Sequence, residues 1–152
     1  MKFYVKLFFL FSIFLQSTEV FPNPLYEGYW AIKCGGFGGS VIIKSSGEVQ
    51  VNVNENNLFV SASLLDATRE HYYLLYRDVI ESVNNVISWS DVSKNNPIAE
   101  VYFENKSMYL KWNGFYNLKK NIYTWSVEPD FVIASGGDSL IKMQKCDFIA
   151  RQ

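Results

Sequence analysis

Short segments of alternating polarity constrain the fold of this chain more than any other sequence feature. In Glu48–Asn54, the apolar residues Val49, Val51 and Val53 alternate with polar ones. A two-residue period is that of a β-strand with one buried side and one side facing water. The same alternation recurs in three further sets: Leu58, Val60 and Ala62; Ala99, Val101 and Phe103; and Met108, Leu110 and Trp112. The pattern predicts an all-β, antiparallel fold.

Turn-forming residues separate these segments at short intervals. Ser45–Gly47 and Glu104–Lys106 predict tight hairpin connections between neighbouring strands. Further groups of Gly, Asn and Pro lie at Asn54–Asn57, Asn95–Pro97 and Gly136–Gly137. Many short strands with regular turn signals are typical of a sandwich or barrel. We therefore expect one barrel-like or closed-sandwich domain with at most one short helix.

The segment Asp78–Ser88 fits two structures. Asp78 is a suitable helix cap, and apolar residues follow it at helical spacing. Its Val, Ile and Asn residues are mediocre helix formers, however, and a hairpin turning at Asn84–Asn85 fits the segment almost as well. The sequence leaves this choice open. It also indicates a single helical turn around Asp91–Ser93, because Asp caps helices well.

The N-terminus has the layout of a secretory signal peptide. Lys2 and Lys6 form a basic start, Leu7–Leu15 is almost wholly apolar, and polar residues follow. The apolar run is far shorter than the roughly 20 residues of a membrane-spanning helix, so we expect no membrane anchor. The prediction is a signal peptide at 1–21, a single β domain at 22–152, and a periplasmic or secreted protein.

Cys34 and Cys146 are the two cysteines of the chain. An even number of cysteines in an exported protein indicates a disulfide. This bond would join the first strand to the last, as suits a closed barrel. Closing so long a loop is worth on the order of 4–5 kcal/mol if the unfolded chain is open.

The charges exclude several classes of partner. The whole chain has a formal net charge of −1 at pH 7. A chain without a strong positive field is not expected to bind nucleic acid or an anionic membrane surface. Two cysteines and one histidine supply too few ligands for a zinc site. We expect neither a metal nor another cofactor.

The candidate catalytic residues form no convincing set, and we expect the protein not to be an enzyme. His71 is the only histidine and lies in an ordinary strand pattern, which indicates a structural or surface role. Glu128 and Asp130 flank Pro129, and a glycosidase needs two facing carboxylates. An Asp in such a turn more commonly caps the backbone.

A glycine-rich segment, Gly35–Gly39, encloses Phe37. A strand pattern follows it and no Lys is present, so a phosphate-binding loop is not indicated. Two interpretations remain. Phe37 either folds back over the core or projects as an anchor that fills a pocket on a partner.

Aromatic residues are frequent between Tyr109 and Phe131, and a domain of this size is not expected to bury them all. Exposed Tyr and Trp side chains favour contact with proteins or sugars. The alternative is a bulky core with amphipathic rims. As a partner-binding set the sequence offers Phe37, Phe115, Tyr116, Tyr123 and Trp125.

Two resemblances add expectations. Gly28-Tyr29-Trp30 resembles the start of lipocalin-like barrels, in which the Trp closes one barrel end, although a later Thr-Asp-Tyr stretch is absent. The architecture of signal peptide, small β domain and first-to-last disulfide is similar to that of periplasmic lysozyme inhibitors and immunity proteins. No site residue carries over from either family.

These observations together predict an exported binding protein that blocks a partner protein. In a bacterium, the resemblance implies a periplasmic inhibitor or immunity protein that acts against a cell-wall-degrading enzyme. The alternative is a lipocalin-like carrier of a small apolar ligand. An apolar cavity in the barrel would favour the carrier, and a filled interior would disfavour it.

Overall fold

The computed structural model describes residues 25–68, 70–83, 86–125 and 127–147. The predicted signal peptide at 1–21 lies outside these residues. Within them, no helix is long and apolar enough to cross a membrane. The strands are β1 (Gly28–Ala31), β2 (Ser40–Ile43), β3 (Glu48–Asn54), β4 (Leu58–Thr68), β5 (His71–Ser82), β6 (Pro97–Glu104), β7 (Ser107–Trp112), β8 (Phe115–Asn117), β9 (Ile122–Thr124) and β10 (Ile141–Cys146).

Eight of these strands form a closed antiparallel barrel in the order β1-β10-β7-β6-β5-β4-β3-β2. Strand β1 closes it by pairing with β2 on one side and with β10 on the other. The strands β8 and β9 form a separate two-stranded sheet between β7 and β10 in sequence. This architecture confirms the prediction of an all-β, antiparallel barrel.

The alternating segments bury the side predicted from their pattern. All twelve apolar residues of the four alternating sets are buried. The hairpin connections at Ser45–Gly47 and Glu104–Lys106 are also confirmed, because they join β2 to β3 and β6 to β7. Strand segments were predictable here because every second side chain must leave water when a sheet closes on itself.

The core contains aromatic clusters near both ends of the barrel. At the end where β1 begins, Tyr26 stacks on Phe103 with ring centroids 3.9 Å apart, and Trp30 and Tyr72 pack edge-on against Phe103. The Trp30 Nε1–H donates a 2.9 Å hydrogen bond to the Tyr26 carbonyl oxygen. The cluster at the opposite end consists of Tyr76, Trp89, Trp112, Phe115 and Phe131.

The predicted disulfide between Cys34 and Cys146 is present, with 5.5 Å between the two Cα atoms. Cys146 is the last residue of β10, and Cys34 lies in the loop after β1. The bond therefore fastens the β1–β2 loop to the end of β10. A disulfide of this kind indicates an oxidising compartment.

The described residues of the undecided segment Asp78–Ser88 are not helical. Its first part belongs to β5, which pairs with β4 as far as Ser82. The proposed hairpin tip at Asn84–Asn85 lies outside the described residues, and the residues from 86 to 88 form turn and bend rather than a returning strand. The helical turn expected at Asp91–Ser93 occurs earlier, at Trp89–Asp91, as a 3₁₀ turn in which Asp91 is the last residue and not the cap.

One short helix, α1 (Asp130–Ala134), follows β9. It begins at Asp130, for which the sequence indicated only a turn. Four of its five residues (Asp, Phe, Val and Ile) are weak helix formers and the helix is short, so tertiary contacts must hold it. Phe131 supplies such a contact, because its side chain is fully buried in the core.

Candidate functional site

The glycine loop, which we define as Gly35–Gly39, connects β1 to β2 and presents Phe37 to solvent. The Phe37 side chain is 83% exposed, so it does not fold back over the core. The loop is fastened at its start, because Cys34 is bonded to Cys146 and the Gly36 N–H donates a 3.1 Å hydrogen bond to the Lys33 carbonyl oxygen.

The end of the glycine loop packs on α1. A Cβ atom added to Gly39 would lie 2.7 Å from Cδ1 of Phe131 and 2.8 Å from the Asn52 carbonyl oxygen. A Cβ added to Gly38 would lie 3.1 Å from that of Ala134. Glycines at these positions therefore permit close approach of the loop to the helix.

Helix α1 adds an exposed apolar side chain that sequence reasoning missed. Ile133 is 61% exposed and lies on the helix against which the glycine loop packs. No sequence pattern indicated it, because Pro129 and Asp130 predict a turn and not a helix start. Phe37 and Ile133 are thus exposed apolar side chains on two elements that pack against each other.

Three other predicted residues lie on the β8–β9 hairpin. The rings of Tyr116 and Tyr123 meet edge-on at 5.1 Å. Trp125 is half-exposed, and its ring covers Gly114, where an added Cβ would lie 2.5 Å from Cε3. Burial raises the pKa of Tyr123, and a hydrogen bond with Asn96 opposes this effect only in part.

Phe115 is not available to a partner. Its side chain has 0% exposure and packs edge-on against Trp89 at 5.2 Å and Trp112 at 5.5 Å. Alternation along β8 explains the difference, since Phe115 and Asn117 are buried while Tyr116 between them is partly exposed. No ring contact among the described residues joins Phe37 to the hairpin aromatics, so the predicted set divides into the glycine loop and the hairpin.

His71 contacts a network of polar side chains on the outer surface of β5 to β7. Its ring stacks on Tyr102 at 4.2 Å, and its Nε2 lies 3.5 Å from a Glu100 carboxylate oxygen. Glu100 also accepts hydrogen bonds from the Tyr102 hydroxyl at 2.8 Å and from Lys111 Nζ at 3.0 Å. Burial raises the pKa of Glu100, but these hydrogen bonds lower it more, and it lies below its usual range. The network fastens three neighbouring strands together.

Asp130 does not cap a local turn, as the sequence suggested, but accepts hydrogen bonds from a distant part of the chain. One carboxylate oxygen accepts a 2.6 Å hydrogen bond from the Glu55 backbone N–H, and the other accepts a 3.1 Å hydrogen bond from Asn54 Nδ2. The same Nδ2 donates to the Glu128 carbonyl oxygen at 2.8 Å. Asp130 thus fastens α1 to the turn between β3 and β4, and both its oxygens are in use. Among the described residues, no group of three His, Cys, Asp or Glu side chains is arranged to hold a metal ion.

A cavity of about 740 Å³ lies at the barrel end where β1 begins. Tyr26, Trp30 and Phe103 contribute to its wall, and charged residues such as Glu70 and Lys145 surround it. The cavity lies at the barrel end and not in the middle of the barrel, where the inward side chains are fully buried. This volume is within the range of small-molecule sites.

Comparison with known proteins finds no relative: no protein-family model, no curated protein and no solved structure matches the chain.

Proposed function

We propose that this chain is an exported binding protein that blocks a partner protein by inserting Phe37 into a cleft of that partner. The observation that carries the proposal is a nearly fully exposed phenylalanine on a loop whose two ends are fixed. A large apolar side chain held in water contributes nothing to folding, whereas it is a strong anchor in a complementary pocket.

The fixed ends of the glycine loop support a binding role for energetic reasons. Binding through a mobile loop costs conformational entropy, which reduces affinity. Here the disulfide at Cys34 and the packing of Gly39 on Phe131 hold the loop before any partner arrives. The neighbouring helix offers a second exposed apolar side chain, Ile133.

The disulfide also supports export, because such bonds persist in oxidising compartments. The similarity in architecture to periplasmic inhibitors directs the first search for a partner to cell-wall-degrading enzymes. The mechanism we propose there is occlusion: the loop enters the substrate cleft, and the barrel blocks access around it.

The test uses the full-length chain, exported by its own N-terminal segment and purified, in an assay of cell-wall hydrolysis. The unchanged protein should inhibit a hydrolase, and Phe37→Ala should raise the concentration for half-inhibition by about 10- to 100-fold, as loss of a central anchor does. Leu65→Ala is the control, because Leu65 is also an exposed apolar residue, at 49%, but lies on β4 and not on the loop. Equal inhibition by both variants, or none by the parent protein, would refute the proposal.

A carrier function is the second candidate, and the end cavity is the observation that favours it. Its aromatic wall and its volume suit a small molecule that is largely apolar. Native mass spectrometry of the exported protein should then detect a bound molecule. A mass equal to that of the polypeptide alone, under conditions that preserve other complexes, would count against a carrier.

A further inference from the structure

The β8–β9 hairpin contains a sheet edge that the barrel lacks. In the closed barrel each of the eight strands has two neighbours. Strand β8 is also flanked on both sides, by β9 and by the Asp91–Ser93 segment, which bridges to it through Val92 and Asn117. In the part of the chain that the structure describes, β9 is therefore the strand with an unpaired edge.

Hydrogen bonds determine which residue of β9 faces that edge. The Ser93 N–H donates to the Tyr116 carbonyl oxygen at 2.9 Å, and the Leu118 N–H donates to the Asp91 carbonyl oxygen at 2.8 Å. The backbone N–H and C=O groups of Tyr116 thus point away from β9. In an antiparallel pair, two directly opposed residues either both point their N–H and C=O groups towards each other or both point them away. Since Tyr123 is the partner of Tyr116, its N–H and C=O point out from the sheet.

Exposed apolar side chains surround this edge. Leu118 and Ile122 are each 54% exposed, and Tyr123 and Trp125 are half-exposed. The edge thus combines four large apolar side chains with an unpaired backbone donor and acceptor. Natural proteins cover edges of this kind by strand addition.

We propose that β9 pairs with β9 of a second copy of this chain, in an antiparallel two-fold arrangement centred on Tyr123. The edge is self-complementary, because each Tyr123 N–H would donate to the Tyr123 carbonyl oxygen of the other copy. The result is a four-stranded sheet that joins two barrels.

The short edge limits the strength of this dimer. Strand β9 has three residues, so the buried area falls below that of stable interfaces. We expect dissociation constants of about 10 to 500 μM, the range of weak, transient contacts. Association should therefore appear only at high protein concentration.

Sedimentation equilibrium of the exported protein from about 1 μM to 1 mM tests the proposal. The parent protein should shift from monomer to dimer, and Tyr123→Pro should raise the dissociation constant at least tenfold because it removes the edge donors. The substitution spares the β8–β9 hydrogen bonds, since the Tyr123 N–H does not take part in them, and edge positions tolerate Pro. Phe37→Ala is the control and should dimerise normally, which separates this edge from the proposed inhibitory loop.

Amide hydrogen exchange supplies a readout that needs no variant. The Tyr123 amide should exchange freely in dilute solution and become protected at high concentration, while the Ser93 amide stays protected throughout. A monomer at every concentration would overturn the proposal. So would a dimer that Tyr123→Pro retains and Phe37→Ala abolishes.

Discussion

Gly39 lies directly against Phe131, so closely that a Cβ atom on the glycine would meet the aromatic ring at 2.7 Å. The backbone of Gly39 also has a φ of +68°, which side chains other than glycine rarely adopt. Both constraints apply at the point where the glycine loop joins β2. The presentation of Phe37 thus depends on a residue that has no side chain.

Gly39→Ala should lower the free energy of unfolding by about 2–4 kcal/mol, because it adds a clash with Phe131 and Asn52 to the backbone strain. Gly35→Ala is the matched control: Gly35 has a φ of +71° but nothing within 4 Å of an added Cβ. It should cost only about 1 kcal/mol. Urea denaturation of both variants gives the comparison. Similar losses would show that strain alone, and not packing, requires glycine at position 39.

Glu100→Gln should make stability less sensitive to acid. The lowered pKa of Glu100 means that folding favours its ionised form. That stabilisation is complete above the ordinary pKa of about 4.5 and is lost as the pH falls through the lower pKa of the folded state. Denaturation midpoints between pH 7 and pH 3 should therefore decline less steeply in the variant. A parallel decline in both proteins would contradict the prediction.

Opening the disulfide should destabilise the protein without changing its topology. Replacement of both Cys34 and Cys146 by Ser should lower the free energy of unfolding by roughly 2–4 kcal/mol. Backbone pairing between β1 and β10 should persist, because it does not depend on the sulfur atoms. Urea titrations of the double variant and of the reduced parent protein should coincide. If oxidised and reduced parent proteins unfold at the same urea concentration, the bond has no stabilising role.

Asp130→Ala should loosen α1. The carboxylate accepts hydrogen bonds from the Glu55 N–H and from Asn54, and its loss leaves both donors short of a partner. We expect a cost of about 1.5–3 kcal/mol, as for other hydrogen bonds to a charged group. Thermal unfolding measures the loss. Glu128→Ala, at an exposed residue, is the control and should change the midpoint little.

Local periodicity predicted the barrel strands, but it could not resolve competing patterns. Val79 lies at helical spacing, yet it belongs to β5 because that strand pairs with the long β4 across the sheet. Conversely, α1 has no helical pattern of its own. It forms because Phe131 packs on Trp112 and the Asp130 carboxylate accepts a hydrogen bond from the Glu55 N–H. Both differences arise from contacts between residues remote in sequence.

The candidate site was predictable in part, for the same reason. Flanking glycines indicated that Phe37 has few neighbours in sequence, and its exposure agrees with the projecting interpretation. Phe115 and Tyr116 are adjacent and aromatic, so sequence alone does not separate them. The register of β8 buries the first and leaves the second partly exposed. The exposure of Ile133 beside the glycine loop was not predictable, because α1 has no helical pattern in the sequence.

The pairing of β1 with β10 has a consequence for the order of folding. Residues from the two ends of the described chain, such as Tyr29 and Cys146, must meet before the barrel can close. Contacts so distant in sequence slow folding, because the chain must search many open conformations before they form. A chain emerging from the ribosome lacks β10 until Cys146 has been made. Until then, β1 and β7 each keep an unpaired edge where β10 will pair.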